Sequence, residues 1–423
     1  MSLFSTRTIR AVMAKAPLRR WIAMMVIAFV ASAGLVVQKG QSAQALSVTS
    51  TITTGPGSGW TSDGIERDQT VSPDGRYWFI STNYGVSVID SQSKTQVGYL
   101  TTNAAIKAFQ WKSDGSVLYG FNGWQVLVIN MTTITAPTLT TTVTVGTVSN
   151  YSTKYGMQIS SDGAYLYAAS YASGTSSLFK INTSTYAVST VATDGGAGHS
   201  WTNVMLNPAG TVAYLGGLAP VGGSNYYITP VNLSNGTLGT GIYTAISPSA
   251  KIFNSDKSIA YVYSAWSVAA SFYKLDLNTG TLSSAISTNG LYIRASALSS
   301  DGATLYLAGD NASYLPNAGF FARYNASTLT QIGSNATIGI GSNAMAISAD
   351  NQRAFISRDT GSSTNGELIQ VNLAVLSYAT PTVSTGWQPY GVFLSSDSLT
   401  AFTFNRQQGT CLLYTSPSPR DRG

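Results

Sequence analysis

A four-residue polar turn recurs eight times along this chain, and its spacing limits the fold more than any other feature. It reads SPDG (72–75), KSDG (112–115), SSDG (160–163), NPAG (207–210), NSDK (254–257), SSDG (299–302), SADN (348–351) and SSDS (395–398). Successive starts lie 40, 48, 47, 47, 45, 49 and 47 residues apart. An apolar run precedes each turn, as in AIKAFQW, WTNVML and YIRASAL, and a second follows it, as in SVLYGF, AYLYAA and SIAYVY. A third run ends in Asp or Asn in several units (VSVID, VLVIN, LFKIN, FYKLD, LIQVN). A fourth, rich in Thr and Val, closes the unit. β-Branched and aromatic residues fill the runs, and turn-forming Gly, Asn, Asp and Ser fill the breaks.

Four short strands in a unit of this length make a propeller blade. One four-stranded sheet cannot bury both faces alone, so blades must stack around an axis. We therefore expect an all-β fold, a β-propeller of four-stranded blades. The stretch from Leu46 to Thr410 holds about eight such units. VTSTITTG (48–55) reads as a fourth strand without its first three, and residues 387–406 supply a first and a second. An N-terminal strand that completes the last blade would remove the open sheet edges. The expectation is eight blades, with seven as the alternative because the repeat breaks off near the C-terminus.

Both ends depart from this body. Residues 1–45 carry Arg7, Arg10, Lys15, Arg19, Arg20 and Lys39 and no acid, with an apolar run from Trp21 to Val37 and then SAQA. That order is the order of a signal peptide; a retained signal anchor is the competing reading. Residues 411–423, CLLYTSPSPRDRG, abandon the repeat's composition and look like translated sequencing-adapter read-through. The domain reading is thus 1–45 signal, 46–410 propeller and 411–423 a non-native tail. The single cysteine, Cys411, lies in that tail, so disulfides have no part in holding the body. Setting both ends aside leaves 15 basic and 16 acidic residues, so the net charge of +6 belongs to the ends. A near-neutral body offers nothing to nucleic acid, and membrane contact would be through an uncleaved N-terminus alone.

The first full unit, VSPDGRYWFISTNYGVSVIDSQSKTQVGYL, resembles the YVTN-type surface-protein repeat of the YncE-like propellers. The resemblance rests on SPDG, the aromatic strand after it, the Asn-x-Gly turn and VSVID. It extends over residues 46–410, loosening at NPAG, NSDK and SSDS. It implies an exported or cell-surface propeller, often without known catalysis. Trp-Asp endings, the mark of WD-type repeats, are absent.

Candidates for chemistry are few. His199 is the only histidine and Glu66 and Glu367 the only glutamates. His199, Arg294 and Glu367 are the catalytic candidates, should a hydrolase or lactonase-like site occupy the central channel. The turn aspartates Asp74, Asp114, Asp162, Asp256, Asp301, Asp350 and Asp397 are explained by hairpin geometry, and Asp90 and Asp276 by capping the turns after third strands. One histidine and no CxxC, HExxH or DxDxDG pattern give no metal site, and no cofactor is expected. The connections between second and third strands are long and varied: 169–176, 216–227, 264–271, 309–319 and 357–366. Connections of one type gather on one face, where Tyr171, Trp266 and Tyr314 are expected as exposed aromatics that could stack on sugars or anchor a protein. Trp201 and Trp387 are expected in the core or channel. The functional expectation is an exported, non-catalytic binding module for a surface or extracellular protein or glycan. The alternatives are the channel enzyme and a structural surface-layer or adhesin component.

Overall fold

The computed structural model describes residues 47–53, 68–146, 156–172, 174–195, 200–218, 226–264, 271–311, 319–359, 366–378, 382–386, 388–405 and 409–415. The polar turns dictate the first hairpin of every blade. In the first, the Asp74 carboxylate accepts the Arg76 amide at 3.1 Å while Gly75 takes φ 72°. The same carboxylate-to-amide bond closes the turns at Asp114, Asp162, Asp256, Asp301, Asp350 and Asp397, at 2.9–3.0 Å. Where the glycine is lost the backbone keeps its left-handed conformation: Lys257, Asn351 and Ser398 have φ of 57°, 54° and 56°. These aspartates are turn-formers, as their repetition implied.

A second turn, between third and fourth strands, explains the Asp or Asn that ends the third run. Its side chain accepts the amide two residues on, as Asp90 does from Gln92, Asn232 from Ser234 and Asp276 from Asn278, each at 2.9 Å. Its own carbonyl accepts the amide four residues on, from Lys94, Gly236 and Gly280, at 2.8 Å.

Eight antiparallel sheets result, an eight-bladed propeller as the count predicted. Blade 1 comprises Gln69–Val71, Tyr77–Ser81, Gly85–Asp90 and Thr95–Thr101, and blades 2 to 6 repeat that order. Blade 7 does so with its outer strand split in two, Ser377–Tyr378 and Val383–Ser384, both paired with Gly366–Asn372. Blade 8 takes three strands from the C-terminal end, Pro389–Leu394, Thr400–Asn405 and Thr410–Thr415. Its fourth is the N-terminal strand Ser47–Thr53, paired antiparallel with Thr410–Thr415. Cys411–Thr415, the head of the segment whose composition departs from the repeat, thus lies in a third strand. CLLYT is itself β-prone.

The core lies between blades. Seven apolar clusters fill the seams: Trp78, Ile80, Phe402 and Leu413 join blades 8 and 1, for example, and Tyr167, Trp201, Val204 and Leu215 join blades 3 and 4. An aromatic seven residues after each turn begins is buried in all eight blades: Phe79, Tyr119, Tyr167, Tyr214, Tyr261, Tyr306, Phe355 and Phe402. Trp201 is buried, as expected; Trp387 lies outside the described residues.

The outer strands vary in length, and one expectation needs correction. The fourth strands of blades 5 and 6 shrink to Ile286–Ser287 and Ala336–Thr337, each preceded by an isolated bridge, at Leu282 and Gln331. These outermost strands have one neighbour only, so their pairing lapses without unravelling the blade. And 169–176 is no long loop: strands Tyr165–Ala172 and Thr175–Asn182 pair through Ala172 and Thr175.

Candidate functional face

Within each antiparallel blade the first-to-second and third-to-fourth turns share one end. The second-to-third connections and the links between blades share the other. The repeated turns therefore occupy one face of the ring and the varied connections the opposite face. First strands of successive blades touch one another and line the axis.

The expected site residues fare unequally. His199, Trp266 and Tyr314 lie outside the described residues. Tyr171 is only 4% exposed, which corrects the expectation of a rim aromatic. The second strand runs to Ala172, three residues past the apolar run AYLYAA. Tyr171 therefore continues the inward face of Tyr167 and Ala169.

Arg294 and Glu367 sit in adjacent blades, and each is engaged in an ion pair. In blade 6, Arg294 Nε lies 3.5 Å from Asp310 Oδ2, with its guanidinium 5.4 Å from the Tyr292 ring. Asp310 Oδ1 accepts the Gly341 amide of blade 7 at 2.6 Å, and the Gly341 carbonyl accepts the Asp359 amide at 2.7 Å. Gly341 has φ 85°, and a Cβ there would collide with the Asp359 backbone, so the crossing needs glycine. In blade 7, Arg358 and Glu367 are direct cross-strand partners. The Arg358 guanidinium binds the Glu367 carboxylate and donates to the Ile338 carbonyl in the link from blade 6. Sequence reasoning missed Arg358, although its signal was present: it and Glu367 flank one second-to-third connection and fall opposite in register.

These groups are fixed charges that brace the seam between blades 6 and 7. Arg358 is 8% exposed and Glu367 half-buried, so removing the arginine leaves a half-buried carboxylate without this partner. We expect Arg358→Met to cost about 2 kcal/mol, and Arg358→Met/Glu367→Leu to recover most of that, read by denaturant unfolding. An additive double variant would show that the pair does not act as one unit.

Elsewhere on this face Asp194 Oδ1 accepts the Ser176 amide at 3.0 Å, and the Ser176 hydroxyl accepts the Trp201 amide at 2.8 Å, binding blade 3 to blade 4. Among the described residues no three His, Cys, Asp or Glu side chains converge on a metal-sized space.

On the axis, Lys251 Nζ of the first strand of blade 5 donates to the Val204 carbonyl of blade 4 at 2.5 Å. The residue is half-buried, and desolvation of its amine pulls its pKa down to about 7. The unfolded chain therefore binds more protons than the folded one between about pH 7 and the ordinary lysine value of about 10.4, and stability rises with pH across that window. Below pH 7 the penalty is fully present. We expect the melting temperature, measured from pH 7 to 9.5, to rise relative to that of Lys251→Met. Parallel profiles would contradict this.

Fold and face together define an eight-bladed β-propeller with a repeated face and a varied one. The chain is similar in structure to the β-propeller domain of Cps50 (Swd1) from Myceliophteria thermophila, at 10% identity and a TM-score of 0.54, over 88% of this chain and 100% of that one. Hydrazine synthase from Kuenenia stuttgartiensis matches over 83% of this chain and 97% of its own, at 16% identity and a TM-score of 0.47. No protein-family model and no curated protein matches the chain. The likeness to the Cps50 domain speaks for the propeller fold.

Proposed function

We propose that this chain is an exported β-propeller of the YVTN type that binds a protein or glycan at or outside the cell surface without catalysing a reaction. One observation carries the reading. The eight units agree in their turns on one face and diverge in their connections on the other, so the ring acts as a scaffold for one variable face. Two more support it. The catalytic candidates Arg294 and Glu367 are engaged in ion pairs across a blade seam. The basic, then apolar, then small-residue order of residues 1–45 is that of an export signal.

The test is a glycan array together with pull-down from a cell-surface extract, both with the full chain. Saturable retention on either, kept in His199→Ala, is the expected result. No retention on both, with turnover of a lactone or ester panel that His199→Ala abolishes, would replace this reading with the channel enzyme.

A further inference from the structure

The repeated face carries a cavity that seven near-equivalent seams invite comparison with. It lies between blades 3 and 4, has a volume of about 460 Å³, and is lined by Asp162, Tyr165, Lys180, Thr211, Asn232 and Ser234 among others. That volume falls within the usual range for small-ligand sites, about 300–1,000 Å³.

Lys180 stands two residues before Asn182, the Asn that ends its strand. Lys274 holds that position in blade 5 and Arg323 in blade 6. Both of these cations reach across the seam to the third-to-fourth turn of the next blade. Lys274 Nζ donates to the Ser327 carbonyl at 2.6 Å, and Arg323 Nη1 to the Leu373 carbonyl at 2.9 Å. The corresponding residues of blade 4 are Leu233 and Ser234, and they line the cavity. Lys180 does not take them. Its ammonium lies 3.7 Å from the Tyr165 ring centroid, and among the described residues it makes no hydrogen bond or ion pair.

The cause is local. Tyr165 is the fifth residue after its turn begins, where blades 5 and 6 have Ile259 and Thr304. Only blade 3 combines an aromatic at that place with a cation in the third strand. The ring holds the ammonium by its quadrupole, and the seam that Lys180 would have bridged stays open.

We infer that this inter-blade cavity is a carbohydrate subsite for a neutral pyranose residue. The wall offers one ammonium donor, the Asp162 carboxylate as acceptor, the hydroxyls of Thr211 and Ser234, and the Asn232 side chain. The two charges cancel, which suits a ligand of many hydroxyls and no net charge. Asp162 keeps acceptor capacity beyond the Ala164 amide and the Ser160 hydroxyl that its Oδ1 receives. Tyr165 holds the Lys180 ammonium over its ring face, so its part is to fix the donor in the cavity. This rests on the binding-module reading and adds to it a second site, on the face opposite the varied one.

The full chain is titrated with methyl glycosides of glucose, galactose and mannose, and separately with glucuronate, followed by saturation-transfer NMR. At least one neutral glycoside binds, and Lys180→Met and Ala209→Trp, which fills the cavity, each weaken it tenfold or more. Lys274→Met leaves binding unchanged but lowers the melting temperature, whereas Lys180→Met leaves the melting temperature where it was. Binding that survives both cavity variants overturns the subsite while leaving the wider binding reading intact. Binding of glucuronate alone overturns the neutral class. No binding of any of the four overturns the inference, and the glycan array and pull-down then decide the wider reading by themselves.

Discussion

Deletion of Ser47–Thr53 is expected to lower the melting temperature by about 10 °C and to make the protein self-associate. This strand is the fourth of blade 8 and pairs with Thr410–Thr415 through six registered positions. Without it the backbone of Thr410–Thr415 is an unpaired edge, and Ile52, 7% exposed in the folded ring, is lost from the seam between blades 8 and 1. Each net hydrogen bond contributes about 1 kcal/mol and the buried isoleucine about 2, so the loss is some 5 kcal/mol. That is comparable with the whole stability of many domains. Calorimetry and light scattering read the two effects. A deletion that melts within about 2 °C of the parent and stays monomeric would show that the ring does not depend on this strand.

Trp78→Ala removes the largest side chain of the same seam. Trp78 is fully buried, edge-to-face on Phe402 and 5.2 Å from the Phe393 ring. Emptying such a site costs about 3–5 kcal/mol, the lost transfer energy plus the cavity. The indole N–H finds no acceptor among the described residues. Trp78→Phe therefore gives up no hydrogen bond and retains most of the stability, so the alanine and phenylalanine variants separate clearly in denaturant midpoint. Equal losses would mean that the indole N–H has a partner.

The turns were legible because one short motif carries both of their requirements, a side chain that bonds its own backbone and a residue tolerant of positive φ. Ring closure was legible as arithmetic, from a lone fourth strand at one end and an incomplete unit at the other. What escaped the sequence depends on pairing partners. Ser170 to Ser176 has the composition of a loop, and only its partner strand makes it a hairpin and buries Tyr171. Lys180, Lys274 and Arg323 are one pattern in sequence; geometry alone tells which cation is bonded across its seam. Glu367 was visible as a rare acid, but its role came from Arg358 across the strand.

The central claim is a ring of eight blades closed by the N-terminal strand, and one cysteine makes it directly testable. Cys411 is the only cysteine of the chain and lies opposite Ile52 in the closing pair. Directly opposed residues of an antiparallel pair have Cα atoms about 4.5–5.5 Å apart, within reach of a disulfide. Mild oxidation of the folded Ile52→Cys variant is therefore expected to join the introduced thiol to Cys411 within one chain, detected by peptide mapping under non-reducing conditions, and to raise the melting temperature. Recovery of both thiols free, or of disulfides only between chains, would contradict closure by this strand.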